Sequence, residues 1–423
     1  MWLASVLFLA SATWRGRGAR VDSRADAHSD HKEEVTHREA PELLKYRTFN
    51  ETGMRLLISG ADLPLVTSSS LVEEDSKARL LEKLPKEWRS KLEIVKQLGR
   101  GAFGKVFLCK VLCESDSDVY VSVKLIQTEV PFSPMKLWIK REVQLLETMQ
   151  GYSDFCISTI GSPSSVDNKD GTWIMMPFMN GGELRDLVRR CRNTEGCRNF
   201  DNRLDWTKVN PQWNTAYILV LFHDVVAGVE ALHEQSGMLH ADLKLENVML
   251  NCRGDKCYAA VIDLGIACNP QLWMLRKLPL PMPGVCGRSG TPRYLPPEVY
   301  KGSAWAMSSP ARDVWALGII LYFLMYGGVP PFFHGNPAEV ILEYDVRADP
   351  NIPGTKEVDE LVREMLTSDY TKRPSLAEIR MKLEDLIELE DSPEAMTMLR
   401  QSPAERGAAV ATPECLQTPD GGN

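Results

Sequence analysis

Between Leu92 and Ile126 the chain runs as short β-branched stretches, LEIVKQLG, KVFLCKVL and VYVSVKLI, and beyond Thr215 its apolar residues recur at helical spacing. A change of period from two toward 3.6 cannot be carried by one type of element. The early runs predict an antiparallel sheet, SPMKLWIKREVQLLETM a helix after it, and TWIMMPFM a further strand before the Gly181-Gly182 turn. TAYILVLFHDVVAGVEALHEQSG, DVWALGIILYFLMYG and VDELVREML predict buried helices, the first ending near Gly237. A β-rich half ahead of a larger α-rich half predicts an α+β, two-lobed body. The N-lobe is assigned to 76–180, led by a helix-like stretch that Pro85 interrupts, and the C-lobe to 181–391.

With 423 residues, 44% of them hydrophobic and 25% charged, the chain can bury a core of this size. Its net charge of -8 gives no basic field for nucleic acid, so a nucleic-acid partner is not expected. Leu3–Ala12 is a short apolar stretch ending in Ala-Ser-Ala, which suits a cleaved signal peptide over 1–12 and entry into the secretory pathway. Residues 13–75 read as a largely disordered pro-region or linker, and 392–423, rich in Pro, Ser and Gly, as a disordered tail. Asn50-Glu51-Thr52 is a glycosylation sequon. The apolar run Val314–Val329 is short for a bilayer, so no transmembrane segment is expected in the mature chain.

Of ten cysteines, Cys191 with Cys197 and Cys252 with Cys257 bracket Gly-containing turns, and Cys268 with Cys286 could close one long loop. The alternative is that all stay reduced, some as small buried apolar groups. No spacing suits zinc.

Leu98-Gly99-Arg100-Gly101-Ala102-Phe103-Gly104-Lys105-Val106 places three glycines where two strands meet, so that backbone N–H groups can approach phosphate oxygens. A dinucleotide-binding reading would need a helix directly after the loop, and KVFLCKVL favours a strand. Lys124 ends the run Val-Ser-Val-Lys, where a solvent-facing lysine is the bland reading. Glu142 in the following helix is placed to pair with it and hold it against phosphates. Further on, His240-Ala241-Asp242-Leu243-Lys244-Leu245-Glu246-Asn247 precedes Asp263-Leu264-Gly265. Asp242 can accept the proton of an attacking hydroxyl, Lys244 can neutralise a transferring phosphoryl group, and Asn247 with Asp263 can hold magnesium.

From Leu92 to Leu389 the chain resembles the eukaryotic protein kinase family, with its glycine-rich loop, strand lysine, catalytic loop and metal motif in order. The resemblance implies the bilobal protein kinase fold and the cofactors ATP and Mg2+. It also implies transfer of the γ-phosphate to protein substrates. Gly290 to Glu298, GTPRYLPPE, looks like the end of an activation segment; Asp313 looks like the residue bracing the catalytic loop, and Arg373 like the partner of Glu298. Lys244 and Thr291 match the serine/threonine type. Alignment with the hinge makes Met176 the gatekeeper, gives adenine to the backbone of Pro177, Phe178 and Met179 and the ribose to Glu183, and adds Ser122 and Met249 to the ATP site.

Ala241 stands where the family usually has an arginine that clasps a phosphorylated activation loop, so activity without loop phosphorylation is expected, with a Cys268–Cys286 bridge as a substitute constraint. Ser122 and Leu264 are milder departures. The chain resembles the secreted rhoptry kinases of coccidian parasites, which often lack that arginine and carry C-lobe disulfides. Ser70-Leu71-Val72-Glu73 resembles their processing site. These likenesses extend the secretory expectation to the rhoptry and then the host cell or the parasitophorous vacuole, with host proteins among the expected substrates. The competing readings are a nucleotide-binding pseudokinase acting as a binding module and a small-molecule kinase on the same fold.

Overall fold

The computed structural model describes residues 80–101, 104–112, 118–127, 135–198, 203–272, 284–328, 330, 341–342, 344–352, 354, 356–407 and 416. The expected leader 1–12, the pro-region 13–75, the sequon, the Ser70 to Glu73 string, Ala102 and Phe103 lie outside them.

Pro85 separates a helical turn at 80–83 from α1 (Lys86–Arg89), whose buried Trp88 donates its indole N–H to Pro163 O at 3.1 Å. The runs that alternate in sequence become β1 (Leu92–Gly101), β2 (Gly104–Val111) and β3 (Tyr120–Ile126), followed by α2 (Met135–Thr148), β4 (Ser165–Asn168) and β5 (Gly171–Pro177). They form one antiparallel sheet in the order β1-β2-β3-β5-β4. Trp88, Phe107, Val121, Val123, Trp173 and Met175 form one apolar cluster of this lobe. Ile139, Leu145 and Leu146 of α2 belong to another, with Ile126 and Ile174.

The second lobe begins with β6 (Gly182–Glu183), α3 (Leu184–Asn193) and α4 (Thr215–Ser236), then β7 (Val248–Arg253) and β8 (Lys256–Val261), which complete a small β6-β7-β8 sheet. After it come α5 (Pro297–Lys301), α6 (Ala311–Tyr326), α7 (Glu357–Met365), α8 (Leu376–Leu389), α9 (Pro393–Arg400) and α10 (Pro403–Arg406). Asn214 caps α4 by accepting from Tyr217 N at 2.9 Å, and Gly237 ends it at φ 64°, a conformation glycine adopts without a Cβ penalty. By length and composition α4 could cross a bilayer, but 78% of its most apolar window is buried inside the body. The α+β architecture expected from the change of period is the one observed.

Disulfides join Cys191 to Cys197, Cys252 to Cys257 and Cys268 to Cys286, with Cα separations of 5.6, 4.0 and 4.9 Å. The all-reduced alternative is not what the fold adopts.

The tail is a correction. Residues 392–406, expected to be disordered, form α9 and α10, and Arg406 is buried in a two-pronged ion pair with Asp224 at 2.8 and 2.9 Å. The Ser and Pro content read as disorder is helix-start chemistry. Ser392 accepts from Ala395 N, Ser402 N donates to Glu405 Oε2 at 2.7 Å, and a proline follows each serine in the first turn. Leu416 is also buried, in the apolar cluster of the first lobe.

Candidate active site

Strand β3 pairs with β2 and β5 so that Lys124 lies between Val106 and Ile174 at the centre of the sheet. Its ammonium reaches Glu142 Oε1 of α2 at 2.6 Å and Asp263 Oδ1 at 3.8 Å. Burial alone would lower the Lys124 pKa; the charges of Glu142 and Asp263 outweigh it and hold the group above its ordinary value, so it stays cationic. Leu264 is buried with Ile139, Leu145 and Leu146, which ties the motif after β8 to α2. A Cβ on Gly265 would lie 3.3 Å from Asp263 Oδ1 and 3.4 Å from Glu142 Oε2.

Between α4 and β7 the chain makes a tight loop in which Ala241 sits at φ 67°, a region that costs an L-residue energy unless its surroundings hold it. Asp313, near the start of α6, supplies that hold: Oδ2 accepts from His240 N at 2.8 Å and Oδ1 from Ala241 N at 3.0 Å. Burial would raise the Asp313 pKa, but its hydrogen bond to His233 at 2.8 Å and the neighbouring Arg312 guanidinium keep the carboxyl below the usual range. His240 is itself buried and places Nε2 3.0 Å from Ile262 O, which fixes Nε2 as the protonated nitrogen.

Asp242 is thereby aimed at the activation segment. Its Oδ1 accepts from Thr291 N at 2.7 Å and from the Thr291 hydroxyl at 2.6 Å, and its Oδ2 accepts from Lys244 Nζ at 2.6 Å. Lys244 Nζ also donates to Thr291 Oγ1 at 3.0 Å. Asn247 donates Nδ2 to Asp242 O at 2.9 Å, which leaves its side-chain oxygen for another partner. The far end of the segment is anchored where Arg373 meets Glu298 in two bonds of 2.7 and 2.8 Å, both residues being buried. A carboxylate, an ammonium and a hydroxyl held this way can bind a substrate hydroxyl and neutralise a phosphoryl group beside it.

A model of the protein kinase domain matches residues 92–382. The chain belongs to the protein kinase family. It is 27% identical to NUAK family SNF1-like kinase 1 of Homo sapiens over 296 residues, covering 69% of this chain and 38% of that protein. With CBL-interacting serine/threonine-protein kinase 13 of Arabidopsis thaliana the identity is 29% over 244 residues, 57% of this chain and 40% of the relative. Calcium-dependent protein kinase 7 of Arabidopsis thaliana is 27% identical over 302 residues, 68% and 47% of the two chains. The chain thus spans less than half the length of these relatives, one of which is named a serine/threonine-protein kinase.

Protein kinase domains use ATP and Mg2+, and the residues present fit both. Gly99 pairs with Val106 and Arg100 with Lys105 across the β1-β2 turn; a Cβ on Gly104 would lie 2.1 Å from Leu125 O, so no side chain fits there. Leu98, Val106, Met176, Phe178 and Met249 are partly buried apolar residues, Pro177 ends β5, and Ser122 pairs with Met176. Together they offer the apolar surface a purine needs. Met179 is buried with Tyr258 and Ala260, and Glu183 pairs with Met249 across β6-β7. For the metal, Asp263 is 43% exposed and Asn247 has an open oxygen, a sparse donor set in keeping with magnesium that takes its remaining ligands from phosphate and water.

One residue was not found from sequence. Arg312, 2% exposed, donates Nη1 to Gly287 O and Met307 O at 3.2 and 3.1 Å, and Nη2 to Ser289 O and Ala241 O at 3.0 and 3.5 Å. It fastens the catalytic loop to the activation segment through main-chain oxygens. Beside it, Ala241 packs with Leu239 and the Cys268–Cys286 pair, and a Cβ on Gly290 would lie 2.6 Å from Ala241 O. The only sequence signal for Arg312 is its position directly before Asp313.

Proposed function

We propose that this protein is an active Mg-ATP-dependent serine/threonine protein kinase whose activation segment needs no phosphate to hold it in place. The observation that carries this reading is the substitute for the missing arginine: the Arg312 guanidinium and the Cys268–Cys286 bridge bind the segment on either side of Ala241. The stretch from Leu264 to Arg288 contains no Ser, Thr or Tyr, so a modification there has no acceptor. In the reaction, the substrate hydroxyl oxygen bonds to the γ-phosphorus, the bond from that phosphorus to the ADP oxygen breaks, and the hydroxyl proton passes to Asp242. Lys244 and Lys124 offset the charge on the phosphoryl oxygens, while bound magnesium supplies electrostatic stabilisation at the phosphates.

Secretion belongs to the same proposal. The apolar Leu3–Ala12 leader and three disulfides suit an oxidising compartment. The resemblance to rhoptry kinases points to protein substrates in a host cell. Radiolabelled phosphate transfer to a protein mixture tests the chemistry. Wild type labels substrate without prior phosphorylation of itself, whereas Asp242→Asn and Lys124→Met lose about two or more orders of magnitude. A folded, magnesium-loaded wild type that labels no protein would favour the pseudokinase reading instead.

A further inference from the structure

Beside the catalytic loop lies a group of charges that phosphate transfer does not use. Arg185, on α3, reaches Glu183 Oε2 at 2.9 Å with Nη2 and Glu246 Oε1 at 3.5 Å with Nη1. Glu246 is in the loop that carries Asp242 and Lys244, and Glu183 opens the second lobe at β6. The bridge therefore crosses from the hinge side of the cleft to the catalytic loop, next to where an acceptor hydroxyl would bind. Asp186 joins it at 3.8 Å from Arg185 Nε and pairs with Arg189 at 3.1 Å, so three carboxylates face two guanidinium groups. Burial raises the Glu183 pKa, with Arg185 opposing it.

Two further facts bear on Arg185. It occupies the first turn of α3, where the exposed N–H groups and the helix dipole disfavour a cation. Its place there is set by the carboxylates. Glu183 Oε2, which meets Arg185 as an ion pair, and Glu246 Oε2 are moreover buried without a hydrogen bond among the described residues, acceptors left open on either side of Arg185.

We propose, resting on the kinase reading above, that Arg185 determines peptide choice: by bridging Glu183 and Glu246 it occupies the carboxylates that a basic substrate side chain would need. Acceptor sites for this kinase are then not selected by flanking arginine or lysine. Removing the bridge frees two carboxylates and turns the groove toward basic peptides, because a guanidinium meeting two carboxylates makes charge-assisted, two-pronged bonds.

The test uses the full chain and a peptide series in which arginine replaces alanine, one position at a time, at the three positions on either side of an acceptor serine. For wild type, no arginine changes kcat/KM by more than about threefold. Arg185→Ala gains about tenfold or more at one position or several, through KM rather than kcat, and the gain shrinks with added salt. Arg185→Lys, a point charge that cannot span both carboxylates, gives an intermediate gain. Fluorescence anisotropy of the same labelled peptides, with magnesium and a non-hydrolysable ATP analogue, reads the preference without catalysis. If wild type transfers phosphate to no peptide, the kinase reading fails while anisotropy still decides the role of Arg185. A wild-type preference for arginine above tenfold, or an Arg185→Ala profile matching wild type, overturns the proposal.

Discussion

Removing the Cys268–Cys286 bridge tests how the activation segment is held. The perturbation is Cys268→Ser with Cys286→Ser, which removes both thiols of the pair and keeps the Cys191–Cys197 and Cys252–Cys257 bridges. The bridge closes a loop with a sequence separation of 18. Loop-closure entropy for that length is about 3 kcal/mol, which is a factor of about 150 in the balance between docked and released segment. What remains is Arg312 with its bonds to Gly287 and Ser289, the bonds of Thr291 to Asp242 and Lys244, and the anchor of Glu298 on Arg373. Bonds from a charged donor contribute about 1.5–3 kcal/mol each, enough to dock part of the population without the bridge. The expected outcome is a kcat reduced about tenfold, with KM for ATP unchanged because Lys124, Glu142 and the hinge lie outside the loop. Cleavage by a limiting protease between Cys268 and Cys286 should rise in parallel. A folded double variant with kcat within about twofold of wild type and the same cleavage rate would refute the reasoning, since the bridge would then constrain nothing that catalysis needs.

Two other perturbations follow from the same geometry. Glu298→Ala leaves the buried Arg373 guanidinium without its two-pronged partner and should cost about 3–5 kcal/mol of stability, read as a lower midpoint in urea; Arg373→Met in the Glu298→Ala background should recover part of it, as no buried charge is then left unpaired. Ending the chain after Gln401 removes Arg406 and strands the Asp224 carboxyl in the core, with a similar loss of about 3–5 kcal/mol, and Asp224→Asn should soften that loss.

Element type and order were legible in the chain because they follow from local periodicity: the strand runs before Ile126 and the helical stripes after Thr215 appear where their spacing places them. The residues around Asp242 were legible for another reason. They are close in sequence, and their residue types suit one chemistry. The tail was misread because Ser and Pro serve both disorder and helix starts. What decided between the two was burial of Arg406 against Asp224, 182 residues away in sequence.

Sequence alone therefore determined the order of the lobes and supplied the candidate site residues Lys124, Glu142, Asp242, Lys244, Asn247 and Asp263. Only the tertiary structure decided what Ala241 means. As a residue it marks a lost guanidinium; in the fold, Arg312 brings one to the same loop from α6 and the Cys268–Cys286 pair fills the space beside it. A guanidinium acts through the oxygens it can reach, and reach is fixed by how distant segments pack.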